Sequence, residues 1–463
     1  MSRLTVVDNN SKKLSLSQYN HDYRNLRKIA NKTIGELQSE SGILIFPPRV
    51  EDTDDQIKES IIFNLTENDE SFSLKTGNIM GFIGRNETEL NICSRFTHSV
   101  NGEVSEKNDY FLHYMLEKVC HVNLSNLKSS NVLDNIFDFL PYLFPQYLIA
   151  ALKQGLYKEY QTREYNDSNV RGVIDINRHI RFNIPANGKI AYRTREYSFD
   201  NPVTELVRHT IEYMRSSDNF KLILTRNEET KAAVSKIDNA TPSYNLMNRN
   251  AVLSKTTKTI KSPYFHKYRD LQKICRMILL REKIKYDSSA NKIYGILFDG
   301  AWLWEEYLAT LLKPLDFVHP ENKKKNGVIH PFIGTNIGHF YPDFYKPRKD
   351  DEKEAEIIFD AKYKNFDTSN PLADDLAQMI SYIHVMNAGI GKFIYPSKNS
   401  TDRSATWTLR PFANISAEIG TLLVYIPQNE IKDYKQFCEK INDSEKNLNV
   451  LAMGVAFGRE QRT

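Results

Sequence analysis

The run Glu356-Ile357-Ile358-Phe359-Asp360-Ala361-Lys362-Tyr363 constrains the fold of this chain more than any other stretch. Ile357, Ile358 and Phe359 are strong β-formers, and a strand alternates its side chains. Asp360 and Lys362 therefore fall on one face, and Phe359, Ala361 and Tyr363 on the other. Two opposite charges are set beside a core. Upstream, across a hairpin-length gap, His339-Phe340-Tyr341-Pro342-Asp343-Phe344 supplies a second carboxylate. Downstream, over 371–386, Leu372, Leu376, Met379, Ile383 and Met386 recur at helical spacing and predict an amphipathic helix. Gln378 and Tyr382 lie one turn apart on it.

Asp343 and Asp360 on neighbouring strands could hold Mg²⁺, which prefers hard oxygen ligands and keeps waters or a phosphate oxygen in its shell. Lys362 beside such an ion would orient a water or neutralise developing charge. The chemistry implied is phosphodiester hydrolysis. The plainer alternative is an exposed Asp-x-Lys pair on an edge strand, with Asp343 merely starting a turn after Pro342. A helix over 299–312 puts Ala301, Glu305, Leu308 and Leu312 on one stripe, turning Glu305 inward and Glu306 away. An inward carboxylate needs a partner, so Glu305 is a candidate outer ligand or acid–base group, or a salt-bridged structural residue.

Length and composition bound the rest. A chain of 463 residues predicts two or three domains, and 40% hydrophobic with 26% charged residues excludes wholesale disorder. A net charge of +4 is too small for a protein coated in basic surface. Nucleic-acid contact would have to come from local patches. The most basic stretch, 253–286, holds ten Lys or Arg, led by Lys255, Lys258 and Lys261, against Asp270 and Glu282. It reads equally well as a solvated helix face or a phosphate-contacting surface. P-loop, GxSxG and HExxH signatures are missing, which disfavours an NTPase, a serine hydrolase and a zinc protease. The four cysteines form no CxxC pair and read as reduced thiols. The first twenty residues carry no signal-peptide core, and the apolar stretch 140–152 is broken by Pro141 and Pro145. A cytoplasmic protein without membrane contact is expected.

Patterning predicts an α+β multidomain chain. From 42 to about 96 the pattern is extended, with Gly81 to Gly84 breaking the run. From about 110 to 157 the apolar spacing turns helical, with interruption at proline. After Asn201-Pro202, Val203, Leu206, Val207, Thr210, Ile211 and Met214 share a helical face. The expected domains are a β-rich module over 1–105, a largely helical middle over 106–290 and a carboxy-terminal domain over 291–463. Short charged turns are expected at 321–326 and 346–356.

Taken in order, Glu305, Pro342-Asp343, Asp360-Ala361-Lys362, Gln378 and Tyr382 resemble the PD-(D/E)xK nuclease superfamily, including the Q-x-x-x-Y helix of some branches. Arg171-Gly172-Val173-Ile174-Asp175, Tyr197, Asp200-Asn201-Pro202 and Leu303-Trp304-Glu305-Glu306-Tyr307 are similar to the McrC family of restriction subunits, in particular those of LlaJI-type or BsuMI-type enzymes. The similarity runs from about 70 to 390. It implies a carboxy-terminal mixed β-sheet flanked by helices, with Asp343 and Asp360 as metal ligands and Lys362 as the catalytic lysine. Glu305 is a further catalytic candidate, and Gln378, Tyr382, Lys255, Lys258 and Lys261 are auxiliary or DNA-contacting residues.

The activity implied is Mg²⁺-dependent cutting of double-stranded foreign DNA in a prokaryotic restriction system. The resemblance also implies a separate McrB-like AAA+ GTPase that translocates and reads the target, so no nucleotide is expected on this chain. Further restriction subunits and a cognate methylase would complete such a system. In that family the amino-terminal module engages the motor ring, which makes the part before about Phe96 the expected partner-binding element. The long turn 346–356 departs from the family pattern and leaves the pairing of Asp343 open. The competing readings are a non-catalytic regulatory subunit that stimulates a partner NTPase ring, and a nuclease acting on RNA.

Overall fold

The computed structural model describes residues 2–38, 43–46, 59–97, 99–100, 103–104, 109–120, 136–218, 220–286, 293–320, 329–331, 340–348, 354–366, 371–410, 417–428, 431 and 433–457. His339, the charged turn 321–326 and the middle of the turn 346–356 lie outside them. In chain order the elements begin with β1 (Ser2–Val7), β2 (Ser11–Ser15), α1 (Leu16–Leu26), α2 (Ile34–Gln38), β3 (Ile43–Phe46), β4 (Phe63–Asn68), β5 (Ser71–Thr76), β6 (Ile79–Arg85) and β7 (Thr88–Cys93). Then come β8 (Ser99–Val100), β9 (Glu103–Val104), α3 (Tyr110–Cys120), α4 (Ile136–Leu152), β10 (Glu159–Asp167), β11 (Val173–Ile174), α5 (Ile176–Asn183), β12 (Ile190–Ser198) and α6 (Pro202–Ser216). They are followed by α7 (Glu228–Ala240), α8 (Arg249–Lys255), α9 (His266–Tyr286), β13 (Ile293–Asp299) and α10 (Gly300–Leu312). The last are β14 (Phe344–Pro347), β15 (Ala355–Ala361), α11 (Ala373–Val385), β16 (Ile390–Ser397), β17 (Thr406–Thr408), β18 (Glu418–Tyr425) and α12 (Tyr434–Phe457).

This mixed α+β chain divides into two compact units, one of Met1–Leu133 with Ser288–Thr463, the other of Asp134–Asp287. The strand β13 explains the first unit. It pairs antiparallel with β6, Ile296 opposite Phe82, and parallel with β3, Ile296 opposite Leu44, inside a sheet of order β1-β7-β6-β13-β3. The amino-terminal sheet is thus completed by a strand from beyond residue 290, so the two ends of the chain share one unit rather than forming consecutive domains.

Gly81 does not break the run as expected, because β6 continues through it. With φ at +119°, a Cβ at Gly81 would lie 2.1 Å from the Ile296 carbonyl oxygen, so glycine is what lets β13 approach. Below this sheet lie α1 and the sheet β2-β5-β4, enclosing Leu4, Val6, Leu26, Phe72, Leu74 and Leu90.

The second sheet of this unit has the order β14-β15-β16-β18-β17, with β15, β16 and β18 parallel and both outer strands antiparallel. One face packs on α11, whose Met379, Tyr382 and Ile383, with Met386 just after the helix, meet Ile358, Phe393 and Ile419. On the other face Trp304 Nε1 of α10 donates to the Ile394 carbonyl at 3.3 Å, and Phe317 stacks on Phe359. Each large apolar side chain buried in such a layer contributes roughly 1.5–3 kcal/mol.

The unit Asp134–Asp287 joins helices to a three-stranded antiparallel sheet, β10-β12-β11, that helical spacing in the sequence did not announce. The helix after Asn201 forms as expected. The Asn201 side chain accepts from Val203 and Thr204, Pro202 fills the first turn, and the whole predicted stripe from Val203 to Met214 is buried. The expected interruption at proline does not occur, since α4 runs through Pro141 and Pro145. Leu140, Leu143, Phe144 and Leu148 are buried, and this apolar contact outweighs the local penalty of about 3 kcal/mol per interior proline. Among the described residues no helix is long and apolar enough to cross a membrane.

Candidate active site

The strand β14 runs antiparallel to β15, Phe344 opposite Phe359 and Tyr345 opposite Ile358, and this register carries Asp343 to the end of β15. There Asp343 Oδ2 accepts the Ala361 N–H at 2.6 Å. The two strands therefore pair on either side of the long turn, with a register shift at Lys346/Pro347. Asp360 is 4% exposed and its strand lies between β14 and β16. An exposed pair on an edge strand is thereby set aside. Just past β15 the Lys362 N–H donates to the Ile394 carbonyl at 2.9 Å, extending the parallel pairing with β16. Its Nζ lies 2.7 Å from Asp360 Oδ2, 3.2 Å from Asp375 Oδ1 and 3.5 Å from Gln378 Oε1.

Asp375, Gln378 and Tyr382 reach the site from one face of α11. Gln378 Nε2 donates to the Tyr382 hydroxyl at 2.9 Å, and that hydroxyl donates to the Tyr341 carbonyl at 3.1 Å, next to Pro342-Asp343. The Gln378 amide is thereby turned with its oxygen toward Lys362. Of the predicted apolar stripe, Met379, Ile383 and Met386 are buried, whereas Leu372 precedes the first turn and is exposed. Sequence reading missed Asp375, although its spacing of three to Gln378 and seven to Tyr382 was a usable signal.

Glu305 joins the group at one remove. His319 Nδ1 donates to the Asp343 carbonyl at 2.7 Å, and its Nε2 lies 3.7 Å from Glu305 Oε1. Nothing in the sequence signalled His319. The expected α10 stripe is divided, with Leu308 and Leu312 buried, Glu305 half-buried and Ala301 exposed, and Glu306 is as half-buried as Glu305.

Burial pushes the Asp360 carboxyl above its usual range, with the charge of Lys362 opposing. Burial acts downward on the Lys362 ammonium, but Asp360, Asp375 and Asp343 together hold it above the ordinary lysine range. For Asp375 burial acts upward, and Lys362 and Lys364 outweigh it. Burial, then Asp343 and Asp360, push the Tyr382 phenol up. Lys362 thus stays a cation between carboxylates.

The donor set suits a hard cation. Asp360 Oδ2 is buried and accepts no hydrogen bond of good geometry, with the Lys362 ammonium beside it as an ion-pair contact. Among the described residues no group of three or more His, Cys, Asp or Glu is placed to hold a metal ion, so a cation here would rest on two carboxylates. Two carboxylates with waters and a phosphate oxygen match the way Mg²⁺ is held.

The residue after Lys362 anchors the strand end. Tyr363 buries its ring in the amino-terminal sheet, with its hydroxyl 3.0 Å from Ser94 Oγ and Arg95 over its face at 4.8 Å. Arg95 donates to the Tyr363 carbonyl and forks onto Asp8. A Cβ at Gly300 would meet this ring at 2.7 Å.

Lys255, Lys258 and Lys261 lie in the other unit and are exposed. Part of that basic stretch is structural, since Arg269 donates to the carbonyls of Ile260 and Lys261, and Arg276 to that of Leu253. In the same unit Gly172 passes so close to β12 that a Cβ would lie 2.1 Å from the Arg193 carbonyl oxygen, and Asp175 caps α5 through the Arg178 N–H. These two residues of the Arg171–Asp175 motif have backbone duties.

Solved structures similar to the chain include two of McrB with McrC. One is a refined half-complex from a tetradecameric assembly of Thermococcus gammatolerans McrB AAA+ hexamers with bound McrC, at 16% identity and a TM-score of 0.46, over 96% of this chain and 100% of that one. Another, a cryo-EM structure of the Thermococcus gammatolerans McrBC complex, has 13% identity and a TM-score of 0.27, over 67% of this chain and 87% of that one. No curated protein matches. The family model for the McrBC 5-methylcytosine restriction system component matches residues 74–396, which takes in the Asp-x-Lys strand, α11 and the whole of the second unit. With that match running over well more than half of its length, the chain belongs to the McrBC 5-methylcytosine restriction system component family.

Proposed function

We propose that this chain is the nuclease subunit of a DNA restriction system and hydrolyses phosphodiester bonds of double-stranded DNA at Asp343, Asp360 and Lys362. The observation that carries this reading is the buried Asp360 on an interior strand, with the Lys362 ammonium 2.7 Å from it and Asp343 held on the neighbouring Ala361 N–H. A mixed sheet with this strand inside it and helices on both faces is read as a PD-(D/E)xK nuclease fold. Asp343 and Asp360 would hold Mg²⁺, which supplies a water of lowered pKa and screens the phosphate.

The residues of the chain do the rest. The scissile phosphate is bound with one oxygen toward Lys362, whose ammonium donates to it as charge builds up. Water oxygen bonds to phosphorus and gives up a proton to solvent, the bond to the leaving oxygen breaks, and that oxygen takes a proton from solvent to leave as a hydroxyl. Gln378 and Tyr382 hold the lysine and the Tyr341-Pro342-Asp343 turn in place. Glu305, through His319, steadies the Asp343 backbone.

The chain is proposed to work in the cytoplasm with a separate McrB-like AAA+ GTPase that moves on DNA and reads the target. Its family and the missing P-loop support that division of labour. The test is restriction of incoming phage or plasmid DNA in cells carrying the neighbouring genes, comparing wild type with Asp360→Ala at matched levels. Restriction is expected to be lost while the variant still assembles with its motor. Purified complex should likewise stop cutting in EDTA and resume with Mg²⁺. Restriction that survives Asp360→Ala would make this chain a coupling subunit.

A further inference from the structure

We infer that Asp375 is a positioning residue that frees Asp360 for a divalent cation by taking over the Lys362 ammonium. The inference rests on the metal-dependent reading of the same site. Its starting point is a conflict visible in the geometry. Lys362 Nζ lies 2.7 Å from Asp360 Oδ2, the buried oxygen that makes no hydrogen bond of good geometry. An ammonium and a metal ion cannot share that oxygen, because like charges so close repel strongly in a region shielded from water.

Lys362 cannot simply leave for solvent, since its side chain is only 15% exposed. A buried ammonium without partners is costly, so a bound cation would need a second anion waiting for the lysine. Asp375 meets that need. Its Oδ1 is already 3.2 Å from Lys362 Nζ, and Gln378 Oε1 lies at 3.5 Å on the same helix face. Lys364 Nζ holds the other Asp375 oxygen at 3.1 Å, so the receiving carboxylate is fixed in position. The first turn of α11 also suits a negative charge. A small rotation of the flexible lysine stem would move its donors from Asp360 to Asp375 and Gln378 while keeping the ammonium paired.

The experiment is Mn²⁺ binding to the full chain, without DNA or partner, followed by titration calorimetry and by the loss of the free-ion electron paramagnetic resonance signal. Wild type is compared with Asp375→Asn, Lys362→Met, the double variant and Asp360→Asn. Asp375→Asn should weaken Mn²⁺ binding by roughly ten- to a hundredfold, as is usual for residues that orient a metal's ligands. Lys362→Met should bind more tightly than wild type. In the Lys362→Met background Asp375→Asn should have an effect several times smaller, because no ammonium is left to receive. An equal loss in both backgrounds would show that Asp375 contributes charge alone and would overturn the inference, leaving the metal-site reading intact. Mn²⁺ binding indifferent to Asp360→Asn would remove both. Circular dichroism of each variant, and recovery of binding in Asp375→Glu, guard against misfolding as the cause.

Discussion

Arg95 with Asp8, and Lys362 with Asp360, are two nearly enclosed ion pairs in the same compact unit, with side-chain exposures of 7% and 0% for the first and 15% and 5% for the second. They differ in completeness. Arg95 forks onto Asp8 and also reaches Asn78 Oδ1 and the Tyr363 carbonyl, while Asp8 takes the Arg95 backbone N–H as well. Asp360 Oδ2 has no such closure. Low-dielectric surroundings make an unfinished polar group expensive, so Asp360 Oδ2 offers a cation more than Asp8 does. The comparison teaches that burial alone does not mark a site. What sets the Asp360 pair apart is burial, an oxygen without a good hydrogen bond, and a second carboxylate, Asp375, on the same ammonium.

The comparison can be broken most sharply at Asp8. Removing it leaves Arg95 charged and buried, so Asp8→Ala should cost about 3–5 kcal/mol, read from unfolding midpoints in urea. Replacing Arg95 as well should recover little, because Asn78 and the Tyr363 carbonyl would remain without their donor. A full recovery would mean that the pair is no more than a local exchange of charge. The corresponding double change in the other pair, Asp360→Asn with Lys362→Met, should cost much less while abolishing cleavage, because Asp375 keeps Lys364 as a partner. A large loss of stability there would put the two pairs in one class.

A third expectation concerns pH. Burial pushes Asp109, next to the Arg95 turn, up to about 7, against the pull of hydrogen bonds from the Ser94 and Leu112 N–H groups. The native state then holds a proton that the unfolded chain, near 3.8, has released. Stability from this group is therefore present at low pH and lost as pH rises through about 7, with a slope of up to about 1.4 kcal/mol per pH unit. Asp109→Asn should remove that slope. His113, held near 4 by burial, has the opposite sign over part of the window, so the difference between the two stability curves is the quantity to measure. The smallest effect is expected at the exposed lysines. If Lys255, Lys258 and Lys261 touch phosphates, each change to Ala should lower the salt slope of DNA binding by about 0.9. An unchanged slope would leave them as solvated surface.

Much of the site could be read from the sequence because its parts sit on regular elements. Asp360 and Lys362 follow the alternation of one strand, and Gln378 and Tyr382 the turn of one helix, so period alone puts them on common faces. Asp343 was harder, since its turn length says nothing about register, which β14 sets through Phe344 and Phe359. His319 and Arg95 were invisible, because each depends on contacts between elements distant in the chain. The Gly81 error has the same origin, as a glycine that ends a strand and one that admits a neighbouring backbone look alike until β13 is in place.

By itself, then, the sequence determined the local elements and the chemical set: a β-run carrying Asp-x-Lys, an amphipathic helix after it, a capped helix at Asn201-Pro202 and the missing P-loop. These are consequences of periodicity and side-chain chemistry, which act over a few residues. Only the tertiary structure decided that β15 is an interior strand, that Asp360 is buried, that Asp375 stands across Lys362 from it and that β13 closes the amino-terminal sheet. Desolvation and cross-strand pairing act between residues far apart in the chain, and they are what turn a common pair of charges into a candidate site.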